Sequence, residues 1–157
     1  LVRLSSGVAV ISVGGTTEVE MTERKHRIED ALEAVRSAQE EGIVGGGGIA
    51  LLEATKKIVI ETNHSEQALG AVIVKEACKE PFRQMAINAG ESPDVLIKVV
   101  MEADKGMGWD FRNNQLANLF KTGIIDPVKV TKSALQNAAS CAGTLITTNY
   151  GIIQAGE

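Results

Sequence analysis

The sequence, 157 residues long, predicts a mainly α fold with short β pieces. Three observations carry that expectation. Long stretches repeat apolar residues at spacings of three and four, which places them on one face of a helix. Helix start and stop residues, Ser-Pro, Asp-Pro and isolated glycines, punctuate these stretches. Aromatic residues make up only 3% of the chain while hydrophobic residues make up 44%. The expected core is therefore built from Ala, Val, Ile and Leu, a composition suited to close-packed helices.

The elements follow in order. Gly7-Val8-Ala9-Val10-Ile11-Ser12-Val13 is β-rich and closes at Gly14-Gly15, so it reads as a strand and turn. From 19 to 41 the pattern turns helical: Ile28, Ala31, Leu32, Val35 and Ala38 share a face, and the other face is charged. Gly42 is the expected C-terminal stop. Gly45-Gly46-Gly47-Gly48 is the low-complexity stretch, and a helix is expected after it to about 59. Asn63 or Ser65 can start the next helix, with Leu69, Val72, Ile73 and Ala77 on its apolar face. Pro81 breaks or restarts it, and Gly90 ends the short helix that follows.

Ser92-Pro93 pairs a cap residue with proline at the first helical position, the start of a helix to about 103. Residues 104–114 read as a polar loop with room for a small hairpin. A short helix is expected over 115–121, ending at Gly123. Asp126-Pro127 repeats the cap-plus-proline signal. It opens a long helix to about 148, with Val130, Ala134, Leu135, Ala138, Ala142 and Leu145 as its stripe. Tyr150-Gly151-Ile152-Ile153 reads as a last strand. No internal repeat is evident.

Composition narrows the function. The net charge of -4 offers no basic patch for nucleic acid. No apolar run approaches the ~18 residues that span a bilayer, and the opening residues do not read as a signal peptide. Cys78 and Cys141 have neither metal-ligand nor CxxC spacing, so they read as reduced core cysteines of a cytoplasmic protein. His26 and His64 lack partners at metal spacing and are assigned no function. The chain opens with Leu1 rather than Met, and its first fifteen residues resemble the middle of a domain, so a truncation is expected.

Several residues can carry chemistry, each with a plainer alternative. Consecutive glycines before a helix let backbone N–H groups approach a phosphate at the positive end of the helix dipole; otherwise they form a hinge or a tight packing point. Asp30 lies about 200° round the helix from Ile28. It is either a solvated carboxylate or one that positions a water for attack on a phosphate. Asp126 is either a helix N-cap or an acceptor for a ribose hydroxyl. Around Gly108-Trp109-Asp110-Phe111, an aromatic side chain either packs on a base or anchors a surface loop.

The order and wording of these pieces resemble the group I (GroEL-type) chaperonins. The resemblance rests on Val19-Glu20-Met21-Thr22-Glu23-Arg24-Lys25, Arg27-Ile28-Glu29-Asp30-Ala31-Leu32, and Glu40-Glu41-Gly42-Ile43-Val44-Gly45-Gly46-Gly47-Gly48-Ile49-Ala50-Leu51. It continues in Gly123-Ile124-Ile125-Asp126-Pro127-Val128-Lys129-Val130-Thr131 and Ser133-Ala134-Leu135-Gln136-Asn137-Ala138-Ala139-Ser140. It covers nearly the whole chain, more loosely between 55 and 108.

The resemblance implies a chaperonin equatorial-domain helical bundle, its C-terminal half, over 42–157. It implies an apical-border strand and an intermediate-domain helix over 1–41. It further implies an ATP-dependent folding function, of isomerase class in the family, carried out in rings of like subunits. Asp30 matches the carboxylate that activates the attacking water. Gly46, Gly47 and Gly48 match the glycines that meet the nucleotide, Asp126 the acid on the ribose, and Asp110 the position facing the adenine. Magnesium and potassium are implied with ATP, with ligands outside this segment. Sister subunits are implied as partners, as are a co-chaperonin and unfolded polypeptides that bind through an apical domain.

The chain departs from the pattern in three ways. Phe111 and Arg112 follow Asp110 where small residues are usual. The Gly-Asp-Gly-Thr-Thr phosphate loop is absent from these residues, and so are the apical domain and a Gly-Met-rich tail. The alternative function is accordingly a truncated assembly fragment that keeps equatorial contacts and does not hydrolyse ATP.

Overall fold

The structure, a computed structural model, describes residue 7 and residues 9–153. The chain divides into two compact units, Leu1–Arg36 and Ser37–Glu157. Helix α1, Glu18–Glu41, runs through that division.

In the first unit α1 starts because its first turn is capped. The Thr17 hydroxyl accepts from the Glu20 N–H at 3.2 Å, and the Glu20 carboxylate accepts from the Thr16 N–H at 3.0 Å. The first bond satisfies a donor the helix leaves open, and the second ties Thr16, just before the helix, to its first turn. Along the helix, Arg24 pairs with Glu20, Arg27 with Glu23 and Lys25 with Glu29, all one turn apart. Exposed pairs of this kind, screened by solvent, add little to stability. No residue of α1 is buried, and Leu32 and Val35 of its apolar stripe are exposed. Of the run 7–13, the described residues belong to no strand, and Val8 lies outside them.

The second unit holds the rest. Its elements are β1 (Ile43–Gly45), α2 (Ile49–Lys57), α3 (Ser65–Ala77), α4 (Glu80–Asn88), α5 (Pro93–Glu102), β2 (Met107–Asp110), β3 (Gln115–Asn118), α6 (Leu119–Thr122), β4 (Ile125–Pro127) and α7 (Val128–Ile146). Among the described residues the strands make two antiparallel pairs, β1 with β4 and β2 with β3. Val44 lies opposite Asp126 in the first and Gly108 opposite Ala117 in the second. At the end of α1, Gly42 adopts a positive φ, its N–H bonds the Ala38 carbonyl at 2.8 Å, and its carbonyl accepts from Val128 at 3.1 Å. Ion pairs from Glu40 to Lys129 and from Glu41 to Lys132 tie this last turn to the start of α7.

The core collects Ile49 and Leu52 of α2, Phe82 and Ala86 of α4, Leu96 and Val100 of α5, and Leu119 of α6. Phe82 is fully buried and meets Phe111 with ring centroids 5.5 Å apart and planes at 51°, a tilted aromatic contact. The core therefore has an aromatic centre and is not purely aliphatic. Gly108 admits this packing: a Cβ there would lie 2.7 Å from Leu119 Cδ1 and 2.8 Å from Ile49 Cγ1. Helices α3 and α7 bury no residue. Between them and α2 lies an apolar groove of about 390 Å³, lined by Leu51, Ile73, Val74, Cys78, Leu135 and Ala138 among others.

Several local expectations are corrected. Residues 115–118 form strand β3 rather than the start of a helix, because they pair with 107–110 across a tight loop. Pro127, not Asp126, is the residue before α7, because Asp126 is held in β4 by β1. Ser92 sits before α5 as expected but makes no side-chain cap bond. Helices α2 and α7 end at 57 and 146, two residues early. Tyr150, Ile152 and Ile153 form no strand and are exposed. Cys78 is buried, which pushes its thiol pKa up, whereas Cys141 is exposed rather than in the core.

Candidate functional site

The glycine run turns the chain from β1 into α2, and three other segments close on it. Gly46 is buried. Its N–H donates to the Ile124 carbonyl at 3.0 Å, which extends the β1–β4 pairing by one rung. A Cβ on Gly46 would stand 3.1 Å from Ile125 N and 3.2 Å from Asp126 Oδ1. Only glycine lets the β4 backbone and this carboxylate come so close. Gly47 and Gly48 have φ of 66° and 73°, the left-handed region. A Cβ on Gly47 would lie 4.0 Å from the Trp109 carbonyl oxygen, and one on Gly48 would lie 3.1 Å from Phe82 N. The run thus touches β4, β2 and the start of α4 at successive residues.

The N–H groups of Gly47 and Gly48 enter no backbone hydrogen bond among the described residues, and they precede the nine-residue helix α2. Free donors at a helix N-terminus favour an anion there. Asp126 is half-buried beside them; its backbone pairs with Val44, but its carboxylate makes no hydrogen bond or ion pair among the described residues. Burial raises its carboxyl above the ordinary value of 3.8. A carboxylate held this way has its acceptor oxygens open to a ligand hydroxyl.

Asp110 is placed differently. Its side chain is buried and committed to the loop between β2 and β3. Oδ1 accepts from the Arg112 N–H at 2.9 Å and the Asn113 N–H at 3.2 Å, and Oδ2 accepts from Asn113 Nδ2 at 2.7 Å. The Asn113 amide, more than any other contact, holds its carboxyl below the ordinary value of 3.8. What Asp110 offers a ligand is its backbone edge. Phe111, a candidate for stacking on a base, is spent on Phe82 in the core.

Trp109 is half-buried, and its indole N–H donates to Asn114 Oδ1 at 3.1 Å. Asn114 in turn donates from Nδ2 to Glu91 Oε1 at 2.7 Å. Neither Asn114 nor Glu91 stood out in the sequence. The signal for Asn114 is its type, since asparagine tolerates the left-handed backbone that closes this loop. Asp30 belongs to the first unit, where it is exposed on α1 and its carboxylate makes no hydrogen bond or ion pair among the described residues. Among the described residues, no group of three His, Cys, Asp or Glu is disposed to hold a metal ion.

A helical bundle with paired short strands, and a glycine turn meeting an acid-bearing strand, defines a class that known proteins share. The model of the TCP-1/cpn60 chaperonin family matches residues 2–156, and the chain belongs to that family. It is similar to a solved group III chaperonin in the open state, with a TM-score of 0.75 and 26% identity over 89% of this chain. The chain spans 30% of that chaperonin's length. The mainly helical fold is that of a chaperonin equatorial-domain fragment. No helix among the described residues is long and apolar enough to cross a membrane.

Proposed function

We propose that the chain is part of an ATP-dependent protein-folding chaperonin subunit and supplies one side of its ATP site. The observation that carries this reading is the unpartnered, half-buried Asp126 carboxylate lying against Gly46, beside the open N–H groups that precede α2. These residues fit a nucleotide: donors at a helix N-terminus suit its phosphates, and an open carboxylate suits its ribose hydroxyls. Gly47 and Gly48 would hold phosphate with Gly46, its N–H bonded to Ile124, as the turn behind them; Asp126 would hold the ribose, and the backbone edge at Asp110 the adenine side. Bound ATP supplies the phosphoryl group whose transfer to water drives the cycle. The family pattern assigns Asp30 to that water as its activating base, and puts the ligands of magnesium and potassium outside this sequence.

The wording of the motif stretches supports the group I type, although the similar solved structure is a group III chaperonin. On this reading 1–41 is the apical-border strand and intermediate-domain helix, and 42–157 is the C-terminal half of the equatorial domain. The partners are sister subunits in a cytoplasmic ring of like chains. A co-chaperonin and unfolded polypeptides would bind through an apical domain. The second reading, a non-hydrolysing assembly fragment, is favoured by the apolar faces that α3 and α7 leave exposed.

Amide spectra of the ¹⁵N-labelled chain, titrated with ATP and magnesium, test the proposal. The expected result is saturable shifts at Gly46–Gly48 and Asp126, weakened about tenfold by Asp126→Ala, the loss of a hydrogen-bonded charge. No shift at millimolar ATP overturns it. Phosphate release measured on the same samples separates the two readings. Sustained release that Asp30→Ala abolishes would exclude the non-hydrolysing one.

A further inference from the structure

We infer that Asn114 is a positioning residue of the proposed nucleotide site, fixing the Trp109 edge of the β2–β3 hairpin against the glycine run by a clamp to Glu91. The inference rests on the ATP-site reading above. Among the described residues Asn114 is the one non-glycine residue with positive φ, at 52°. Asparagine bears that conformation more readily than other side chains. A residue needed only to close the loop could be glycine, which has no side chain to orient. Here both ends of the side-chain amide are used instead. Oδ1 takes the Trp109 indole N–H at 3.1 Å, and Nδ2 gives a hydrogen bond to Glu91 Oε1 at 2.7 Å.

Glu91 is itself held in place. It follows Gly90, whose φ is 78°, at the end of α4. The Glu91 N–H bonds the Ala86 carbonyl at 2.9 Å and the Gly90 N–H bonds the Ile87 carbonyl at 2.9 Å. That pair of bonds is the helix ending that locks the two residues after the last turn. The helix ending therefore fixes the Glu91 backbone, the Glu91 carboxylate holds the asparagine, and the asparagine holds the indole. The far side of Trp109 completes the chain: its carbonyl oxygen faces Gly47 at 4.0 Å from a Cβ position. In this arrangement Asn114 touches no ligand. It sets where the 109–110 backbone stands relative to the phosphate-side glycines, and so how well a base fits once the phosphates are seated.

The test uses the full chain and two ligands, ATP and inorganic tripolyphosphate. Trp109 is the single tryptophan of the sequence, so its indole N–H gives an unambiguous resonance. In the wild type both ligands shift the Gly46–Gly48 amides and only ATP shifts the indole. Asn114→Gly keeps the backbone conformation and removes the clamp. It weakens ATP about fivefold, the worth of one modest hydrogen bond, and leaves tripolyphosphate unchanged. Glu91→Ala acts in the same direction, while Glu91→Gln, which keeps an acceptor for Asn114, retains wild-type ATP affinity. An unchanged ratio of ATP to tripolyphosphate affinity in both Asn114→Gly and Glu91→Ala overturns the inference and reduces Asn114 to a loop closer. A wild type that binds neither ligand overturns the ATP-site reading and this inference together.

Discussion

Asp126 Oδ1 lies 3.2 Å from where a Cβ would stand on Gly46, so the carboxylate proposed for the ribose rests directly on the glycine run. The contact exists because β4 pairs with β1 and sets Val44 opposite Asp126. It makes the three glycines unequal under substitution. Gly46→Ala meets the β4 backbone and this carboxylate, and a slight retreat of β4 accommodates it, at about 1 kcal/mol of stability. Gly47→Ala has room and suffers only its φ, again about 1 kcal/mol. Gly48→Ala combines a φ of 73° with Met85 Cε at 2.9 Å and Phe82 N at 3.1 Å, and should cost about 2–4 kcal/mol. Urea unfolding of the three variants checks the order, with Gly48→Ala lowest. The proposed site adds a second readout, since Gly46→Ala moves Asp126 and should weaken ATP more than its stability cost suggests.

Asp126→Asn should stabilise the fold at neutral pH and weaken nucleotide binding. Burial raises the folded-state value above 3.8. A group raised on folding contributes stability that is fully present below its unfolded value and lost as pH rises through the folded one. The amide never ionises, so the variant escapes that loss above the folded value and gains nothing near pH 3. Thermal melts at pH 3 and pH 7 check this, with a higher Tm expected for the variant at pH 7 alone. Asn keeps one acceptor for a hydroxyl but loses its charge, so ATP binding should fall. Gain in stability with loss of binding is the pattern of a residue kept for function.

The sequence made the helices legible where local chemistry determines them. Gly42, Pro93 and Gly123 mark ends that the structure keeps, since positive φ and proline's missing N–H act within one turn. It misled where a distant strand decides. Gln115-Leu116-Ala117-Asn118 has no strong period of its own, and pairing with Met107–Asp110 makes it β. Asp126 carries a sound cap signal, yet β1, some eighty residues earlier, holds it in a strand. Of the site, the glycine run and Asp126 were visible as residue types, but their contact was not. The Glu91–Asn114–Trp109 clamp was invisible, because it joins three segments by side chains with no motif spacing.

Acid should loosen the β2–β3 hairpin before the helices. The Asp110 carboxylate accepts three hydrogen bonds across the loop, and its pKa is held below 3.8, first by the Asn113 amide. A group depressed on folding contributes stability present above its unfolded value and lost as pH falls through the folded one. Amide protection at Gly108 and Ala117, taken relative to the intrinsic exchange rate at each pH, should fall below pH 3.8 while α2 and α4 stay protected. Asp110→Ala should show that lowered protection already at pH 7. Equal protection of the hairpin at pH 3 and pH 7 would show that the backbone ladder alone holds it.

Phe82→Ala should unfold the second unit. The ring is fully buried, meets Phe111 at a tilt, and lies in the cluster that joins α2, α4, α5 and α6. Removing a buried Phe costs about 3–5 kcal/mol, a large share of the roughly 5–15 kcal/mol that holds a whole domain. Circular dichroism should show a collapsed melting transition. Phe82→Leu, which keeps most of the apolar volume, should restore folding with a lower Tm. Phe111→Ala should cost less, since Phe111 is only partly buried.

Asp30→Ala in a complete subunit should spare ATP binding and slow hydrolysis. On α1 the carboxylate is exposed and has no partner among the described residues, so removing it disturbs no packing. A base that acts on the attacking water contributes in the transition state rather than in the ground state. Its loss lowers kcat while affinity stays near normal, and a factor of about 10² is the usual scale for a positioned base. Asp30→Asn should fall with Asp30→Ala, since the amide keeps the shape and cannot take the proton. Turnover and ATP affinity measured side by side decide the matter. Loss of both in equal measure would make Asp30 a binding residue, and loss of neither would remove it from the reaction.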